Sequence, residues 1–378
     1  MRKKDFLFLL FSFIVWRVIL FAFLFLATRA VPLQRNFLGG GEANYLVSPW
    51  LWSWLNFDGE HYLTIAQIGY QPLTYFYFPI FPVVAKFVGG ILGGGFINLA
   101  VGGLIVSNAS FFIALIGLWK LVEKDFGVIV ARLTILLMLF FPTSFYFGSY
   151  YTESIFLALT VWAFYFVRKD NWVYGGIAGS ISTAARIIGV ALAPAFLVEY
   201  WQGKKKNLLK LASILFVPAG IAVYMYYLGV KTGDPLNFLN TVSIFGGQRS
   251  SSFILLPQVF YRYFFKILPF VNYGYMPNFF TTYLELTTAV LFLGLAVLAF
   301  WKLRKSYAVY LALGYLIPTL SGSFSSLPRY VVVLFPAFIL ASLYVKNWPQ
   351  VWKVVLFSVL FTGLGLATCL FVRGYWVS

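Results

Sequence analysis

The stretch from Trp54 to Pro82 holds the only histidine of the chain, His61, and two of its 11 acidic residues, Asp58 and Glu60. A carboxylate can take a proton as a general base, and an imidazole nearby can orient it or a substrate hydroxyl. The residues after Asp58 recur at helical spacing, so Asp58 and His61 face one side of a helix and Glu60 faces another. The pattern therefore indicates a candidate site for acid–base chemistry.

The same residues also suit a structural role. Asp58 stands where a helix N-cap is expected, before Gly59 and Glu60, and an N-cap aspartate stabilises a helix without doing chemistry. His61 is equally typical of an interfacial aromatic side chain. The sequence leaves both interpretations of Asp58 open, the catalytic carboxylate and the helix cap.

The composition decides where such a helix lies. With 61% hydrophobic, 21% aromatic and only 10% charged residues, the chain cannot place its apolar side chains under a polar shell. We predict an all-α polytopic membrane protein, a single domain over residues 1–378, with extracytoplasmic regions at 29–96 and 231–278. The net charge of +17 does not indicate nucleic acid, because the lysines and arginines lie in short loops between apolar runs.

The apolar segments predict about eleven crossings. Besides the first helix, Phe6 to Ala27, which we expect to be uncleaved, they are Ile97 to Trp119, Val128 to Phe147, Ser154 to Val167, Trp172 to Ile188, Gly189 to Trp201, Leu208 to Leu228, Thr281 to Trp301, Tyr307 to Leu320, Tyr330 to Tyr344 and Val351 to Phe371.

Basic residues predict the orientation, with the N-terminus inside and the C-terminus outside. This orientation holds only if Phe76 to Gly93 does not cross the membrane. We therefore expect that segment to lie in the interface as an aromatic in-plane helix. The same orientation requires Trp172 to Trp201 to enter the membrane and return, because both flanks are basic and one helix of that length would be about 45 Å long. We expect the turn at Arg186 to Gly189, inside the membrane, where irregular backbone needs a cavity.

Sorting the charges by side locates that cavity. Five acids lie beside inner lysines or arginines and are expected to be ordinary interfacial charges: Asp5, Glu123, Asp125, Asp170 and Glu199. The outer side has the other six acids and three arginines, namely Glu42, Asp58, Glu60, Glu153, Asp234, Glu285, Arg186, Arg249 and Arg329. A charge in hydrocarbon costs on the order of 3 kcal/mol, so this clustering predicts a polar outer cavity.

Three of these residues, Glu153, Arg329 and Asp234, have a chemical and a structural interpretation, whereas Arg186 is harder to explain as structural. Glu153, in "YTES", is a second candidate base, but an acid in a first helical turn also complements the helix dipole. Arg186 has no acid within helical reach, which favours a phosphate partner. Arg329, in "LPRY", binds the same phosphate or extends to lipid headgroups. Asp234, in "TGDPL", is more typical of a turn before Pro235 than of a catalyst.

Other chemistries find little support in the sequence. There is no Cys or His cluster with zinc spacing, no nucleophile elbow of the G-x-S-x-G kind and no P-loop context, so the sequence requires no cofactor and leaves a divalent-metal requirement open. A transporter or lipid flippase is the competing class, because it would also explain an intramembrane arginine and a broken helix. Such proteins usually have paired breaks in two repeated halves, and only one break is visible.

The segment from Trp54 to Pro82 resembles the first outer loop of the PIG-V family of GPI mannosyltransferases. The matching residues are Asp58, His61, Tyr62, Ile65, Ala66, Gly69, Tyr70, Phe78, Pro79, Phe81 and Pro82. Three further blocks resemble the family in the same order, "FPTSFYFGSYYTESIF" from Phe141, "STAARIIGVALAPAFLVEY" from Ser182 and "SLPRYVVVLFPAF" from Ser326, with "TGDPLNFLN" from Thr232 as a weaker fifth. The chain departs from the family at Asn56 and Phe57, where eukaryotic members more often have a tryptophan directly before the aspartate.

The resemblance implies a GT-C glycosyltransferase that moves a sugar, mannose in that family, from a polyprenyl-phosphate carrier to a glycolipid or glycan acceptor. The implied location is extracytoplasmic in the plasma membrane of a prokaryote, or luminal in the endoplasmic reticulum of a eukaryote. We assign Asp58 as the general base, with His61 and Glu153 as further catalytic candidates. The expected donor-phosphate residues are Arg186, Arg329 and Arg249, and the expected substrate contacts are Glu60, Tyr62, Tyr151 and Asp234.

Overall fold

The structure is a computed structural model that describes residues 1–245, 249–250 and 252–377, and within them every regular element is a helix. The α-helices, numbered α1 to α19 in chain order, are Lys3–Ala30, Gly41–Val47, Pro49–Trp52, Asp58–Ile68, Ile80–Ile91, Phe96–Phe126, Val128–Phe140, Glu153–Arg168, Trp172–Thr183, Leu192–Gln202, Leu208–Leu215, Ala219–Thr232, Asn237–Asn240, Leu256–Arg262, Met276–Lys302, Lys305–Thr319, Leu327–Val331, Phe335–Val345 and Gln350–Val372. Short 3₁₀ or π turns occupy Ser53–Leu55, Ser144–Gly148, Ile187–Ala191, Val242–Phe245, Tyr263–Ile267 and Leu268–Phe270.

Five helical segments of the described chain have the length and apolar composition needed to cross a membrane. They are Lys3–Ala30, Phe96–Phe126, Leu208–Thr232, Met276–Lys302 and Gln350–Val372. At 1.5 Å per residue, the shortest of them is about 35 Å long, against a hydrocarbon core of about 30 Å. These five coincide with predicted crossings, and shorter helices occupy the positions of the others. The prediction of an all-α membrane bundle is confirmed.

Prolines shorten several predicted spans. The predicted span from Leu208 to Leu228 is divided at Phe216–Pro218 into α11 and α12, because Pro218 has no N–H to continue the helix. Helix α7 ends at Phe140, two residues before Pro142, rather than at Phe147. A proline disfavours helical backbone at the residue before it, so both helix ends follow from the sequence.

Helix α5, Ile80–Ile91, lies within the segment expected to be an in-plane aromatic helix. Its 12 residues are about 18 Å long, which is too short to cross a membrane. The predicted orientation requires that this segment does not cross. The helix packs closely on α6, where a Cβ atom added at Gly102 would lie 2.5 Å from the backbone nitrogen of Gly89. Glycine at both positions permits this approach. The in-plane orientation stays a prediction.

The predicted break at Arg186 is present. Helix α9 ends at Thr183, Arg186 has extended backbone with φ −158° and ψ 145°, and a 3₁₀ turn leads into α10. The Thr183 hydroxyl stabilises the end of α9, since its Oγ1 atom lies 2.8 Å from the Ser180 carbonyl and 3.0 Å from the Val217 carbonyl. The break therefore holds Arg186 at a fixed position in the bundle.

At the end of the bundle predicted to face inside, buried ion pairs join four helices. Arg168 of α8 binds Asp125 of α6 at 2.6 Å and Glu199 of α10 at 3.1 Å. Glu199 also pairs with Arg304, which directly precedes α16, at 2.8 Å, and Tyr307 of α16 donates to Asp125. The expectation that Asp125 and Glu199 are ordinary interfacial charges is wrong, because their partners lie on other helices and helical spacing cannot show them.

Candidate active site

Asp58 is the first residue of α4, and both of its carboxylate oxygens accept hydrogen bonds from distant side chains. Arg329 Nη1 lies 2.5 Å from Oδ2, and the Tyr77 hydroxyl donates to Oδ1 at 3.2 Å. The prediction that Asp58 is the N-cap is wrong by one residue, because Phe57 occupies that position with a φ of 60°. The aspartate is therefore held by tertiary contacts, and the helix-cap interpretation does not describe it.

His61 lies one turn along α4 and stacks on the ring of Tyr77, with ring centroids 5.0 Å apart and an angle of 21° between the planes. Asp58 and His61 thus share Tyr77 as a neighbour, which confirms that the two face one side of the helix. Glu60 faces another side, near the backbone of Gly41, and burial raises its pKa to about 7.

Glu153 and Arg186 form a buried ion pair. Glu153 begins α8, its Oε1 atom accepts a hydrogen bond from Arg186 Nη1, and the same guanidinium nitrogen lies 3.3 Å from the Thr152 hydroxyl. No acid lies within helical reach of Arg186, as the sequence indicates, but its partner Glu153 lies 33 residues earlier on a neighbouring helix, so Arg186 does not require a phosphate to be paired. Burying this pair avoids the cost of an isolated charge in the membrane.

Arg329 connects the two acids. While its Nη1 binds Asp58, its Nε lies 3.6 Å from Glu153 Oε1, and its side chain is only 6% exposed. Asp58, Arg329, Glu153 and Arg186 therefore alternate in charge along one network. Arg329 is a buried ligand of carboxylates, and the alternative that it extends to lipid headgroups does not describe it.

Arg249 adds a third guanidinium. Its Nη2 donates to the Ser325 carbonyl at 3.0 Å and contacts the Ser326 hydroxyl at 2.9 Å. The ring of Tyr330 lies between the three arginines, with its centroid 5.0 Å from the guanidinium carbon of Arg186, 5.4 Å from that of Arg329 and 5.9 Å from that of Arg249. The three predicted phosphate-binding arginines thus surround one aromatic ring.

Two cavities meet at Asp58. The smaller has a volume of about 140 Å³ and the larger about 800 Å³, and Asp58, Tyr77, Arg249 and Arg329 line both. Arg186 and Glu153 line only the smaller cavity, together with apolar side chains that include Phe78, Ile187, Phe238, Leu239 and Ile317. The larger cavity has His61 and many neutral polar groups in its wall. One carboxylate thus lies in the wall of a small, mostly apolar cavity and of a larger one with many polar groups.

The predicted substrate contacts divide into two groups. Tyr62 and Tyr151 line the smaller cavity, and the Tyr151 hydroxyl donates to the Asn56 carbonyl at 2.7 Å. Glu60 and Asp234 line neither cavity. Asp234 accepts hydrogen bonds from the Leu236 backbone and the Asn240 side chain, so it is the turn residue that its sequence context favoured.

Several site residues were not predicted from the sequence. Tyr77 belongs to an aromatic run that we assigned to the membrane interface, although its hydroxyl binds Asp58. Ser326 has a φ of 66°, as Phe57 has a φ of 60°, and such strained backbone often marks a functional site. Phe57 lies directly before Asp58, and Ser326 lies three residues before Arg329. This strain is visible only in the backbone dihedral angles and not in the sequence.

Within the described ranges, no three His, Cys, Asp or Glu side chains gather closely enough to hold a metal ion. Three guanidiniums, those of Arg186, Arg249 and Arg329, and three acids, Asp58, Glu153 and Glu285, line the two cavities. Guanidiniums bind phosphate oxygens through paired hydrogen bonds, so an anionic phosphate suits the arginine side of the site.

Comparison with protein-family models and with curated protein sequences gives no match. Among solved structures, ArnT from Cupriavidus metallidurans bound to undecaprenyl phosphate aligns with 96% of this chain and 76% of its own, at 15% identity and a TM-score of 0.51. Its apo form aligns over the same shares at 17% identity and the same TM-score. The Archaeoglobus fulgidus oligosaccharyltransferase tethered with an acceptor peptide aligns with 98% of this chain and 55% of its own, at 12% identity and a TM-score of 0.45. The chain therefore shares the helical membrane fold of the ArnT structures, and the predicted fold class of an all-α membrane bundle is confirmed.

Proposed function

We propose that this protein is a membrane glycosyltransferase that transfers a sugar from a polyprenyl-phosphate carrier to an acceptor hydroxyl, with Asp58 as the general base. One observation carries the proposal: Asp58 lies where the two cavities meet, beside the arginine network. A transferase needs its base within hydrogen-bond reach of the acceptor hydroxyl, at a place where that hydroxyl can also reach the anomeric carbon of the donor. A flippase would not require a carboxylate in that position.

The smaller cavity suits the donor. Its apolar wall, with Phe78, Phe238 and Leu239, fits the first units of an isoprenoid chain, and Arg186 lies in the same wall. The ArnT structure that shares this fold contains undecaprenyl phosphate, which supports a lipid phosphate as the bound group. Arg329 and Arg249 would contact the phosphate from the side of the larger cavity.

The transfer requires two bond changes at the anomeric carbon. The acceptor oxygen forms a bond to that carbon and gives its proton to the Asp58 carboxylate, while the bond to the phosphate oxygen breaks. The electron pair leaves with the phosphate, which gains one negative charge and needs no general acid. Guanidiniums already in place, those of Arg186 and Arg329, stabilise that charge. Attack from the side opposite the leaving phosphate inverts the anomeric configuration.

Tyr77 and His61 position the base. The Tyr77 hydroxyl holds one carboxylate oxygen of Asp58, and His61 stacks on the Tyr77 ring at the edge of the larger cavity. His61 can therefore orient the acceptor hydroxyl rather than the donor. Glu153, paired with Arg186 and close to Arg329, fixes the two arginines and is our second choice for the base.

The sequence resemblance to the PIG-V family supports mannose as the sugar and a glycolipid or glycan as the acceptor. The distribution of basic loops supports a site on the extracytoplasmic or luminal side. The proposal is tested by incubating the purified protein in liposomes with labelled polyprenyl-phosphate mannose and an extract of the lipid-linked glycans of its source. Label in a glycan product supports the transferase, whereas movement of unmodified carrier between leaflets supports a flippase.

A further inference from the structure

The outer end of α15 presents a polar stripe to the larger cavity. Asn278, Thr281, Thr282 and Glu285 lie at positions i, i+3, i+4 and i+7 of a mostly apolar helix that is long enough to span the membrane. Residues at this spacing share one face of a helix, and all four line the cavity. Because a buried carboxylate in a spanning helix is costly, such a stripe indicates a ligand-binding function.

Glu285 is the buried acid of this stripe, and the mechanism above does not use it. The Tyr263 hydroxyl donates to its Oε2 atom at 2.8 Å, and the side chain is buried beside Arg249 and the backbone of Ser326. A carboxylate has about four acceptor positions, so these contacts use only part of its capacity. Glu285 is therefore oriented in advance and retains capacity to accept hydrogen bonds from a ligand.

An aromatic surface lies in the same cavity, next to the base. Trp376 packs edge-on against Phe57, the residue before Asp58, with ring centroids 5.0 Å apart, and the Arg329 guanidinium lies 6.0 Å from its ring. The Trp376 side chain remains 37% exposed. A partly exposed indole ring beside hydrogen-bond acceptors suits a pyranose, which has an apolar face of C–H groups and a rim of hydroxyl groups.

We propose that Glu285 and Trp376 are specificity-determining residues of the acceptor site in the larger cavity: Glu285 holds the terminal sugar of the acceptor beside Asp58 through its hydroxyl groups, and Trp376 packs on its apolar face. The proposal rests on the proposed function, which already takes a glycolipid or glycan as the acceptor, and adds the two residues that recognise its terminal sugar. A bare lipid or peptide hydroxyl would need neither a buried carboxylate nor an indole surface. The volume of about 800 Å³ also exceeds what one hydroxyl group requires.

The test compares acceptors that share one alkyl chain. The full-length protein is supplied with labelled polyprenyl-phosphate mannose or glucose, and with 1-octanol or one of three octyl glycosides: the mannoside, the glucoside or the N-acetylglucosaminide. The variants are Glu285→Gln, whose amide oxygen still accepts from Tyr263, and the pair Trp376→Phe and Trp376→Ala. Glu42→Gln is the matched control, because Glu42 is a partly exposed acid that pairs with Arg35 outside both cavities.

We expect at least one octyl glycoside to exceed octanol about 100-fold in kcat/KM. Glu285→Gln should raise KM for that glycoside about 10- to 100-fold, as hydrogen bonds left unmade at a buried polar group imply, and leave the donor KM within twofold. Trp376→Phe should retain most of the preference for the octyl glycoside over octanol, and Trp376→Ala should lose it. Equal use of octanol, or an unchanged glycoside KM in Glu285→Gln, would overturn the carbohydrate site while transfer itself continues. Failure with every acceptor, native membrane lipids included, contradicts the proposed function instead.

Discussion

The Nη1 atom of Arg329 lies 2.5 Å from the Oδ2 atom of Asp58, although 271 positions separate the two residues in sequence. Burial alone would raise the pKa of Asp58, but the charge and the hydrogen bond of Arg329 outweigh burial, so the pKa lies below its ordinary value. A carboxylate held in this way is a weak base. A donor phosphate that shares Arg329 would weaken the hold and make Asp58 a better base when the donor is present.

Arg329 should set the acidic limb of the pH–rate profile. The base works deprotonated, so activity falls when the pH drops below its pKa. Replacing Arg329 with Gln removes the charge that lowers the pKa of Asp58, and burial then raises it. We expect the acidic limb of Arg329→Gln to move to higher pH, whereas Arg329→Lys and the exposed-site control Arg35→Gln keep it close to that of the wild type. Profiles of kcat/KM between pH 4 and pH 8 check this, and an unmoved limb in Arg329→Gln would show that another group titrates.

Arg186 should hold the donor phosphate. Arg186→Lys keeps a charge opposite Glu153 but replaces a planar fork with a point charge. Loss of charge-assisted hydrogen bonds costs about 1.5–3 kcal/mol, so we expect donor affinity to fall about 10- to 100-fold. Competition by unlabelled polyprenyl phosphate measures it, with Arg35→Lys as the control. Near wild-type affinity in Arg186→Lys and in Arg186→Ala would make this arginine only the counter-ion of Glu153.

Glu60 should make stability depend on pH. Its folded-state pKa of about 7 lies above its ordinary value, because it is partly buried, so the folded protein binds the proton more tightly than the unfolded chain. The contribution to stability is present below the ordinary pKa of a glutamate and is lost as the pH rises toward 7. We expect Glu60→Gln to raise the unfolding temperature in detergent at pH 8, and the gain to vanish toward pH 4. A gain of equal size at both pH values would rule out titration as its cause.

How far the sequence predicted the site depends on whether partners are near in sequence. Asp58 and His61 share one helix, so helical spacing predicted their common face. Arg329 and Glu153 lie on other helices, so the sequence indicated only that both face the outer side. It did not indicate that Arg329 binds Asp58 or that Glu153 binds Arg186. Phe57 has a positive φ and is the N-cap, so Asp58 is the first residue of the helix and not its cap, which the spacing of the side chains could not show.

The fold was predicted more fully than the site, because composition and apolar segment length determine where helices can cross a membrane. The interruptions were predicted less well. The break at Arg186 followed from basic flanks on a segment too long for one crossing, but the division at Pro218 was overlooked although proline is a direct signal for it. Packing of α5 on α6 depends on contact between Gly89 and Gly102, and no local pattern identifies such a pair.

The orientation of the protein in its membrane is open to direct labelling. We expect a cysteine at position 250, introduced as Ser250→Cys after Cys369→Ser, to react with an impermeant maleimide in intact cells. Lys205→Cys, in a basic loop predicted to face inside, should react only after the membrane is permeabilised. The opposite pattern would reverse the topology and place the Asp58 site on the cytoplasmic side.

The account rests on Asp58 as the base, and Asp58→Asn tests it most directly. Asparagine keeps the shape, its amide oxygen can accept from Arg329 and its NH2 group can donate to the Tyr77 oxygen, but it cannot take a proton at neutral pH. General-base catalysis contributes about 100- to 10,000-fold, so the variant should lose at least 100-fold in turnover and still bind polyprenyl phosphate. Single-turnover transfer of labelled sugar by folded Asp58→Asn protein, beside Glu42→Gln as the control, gives the result. Turnover within a few fold of the wild type would contradict the account and make Glu153 the next candidate for the base.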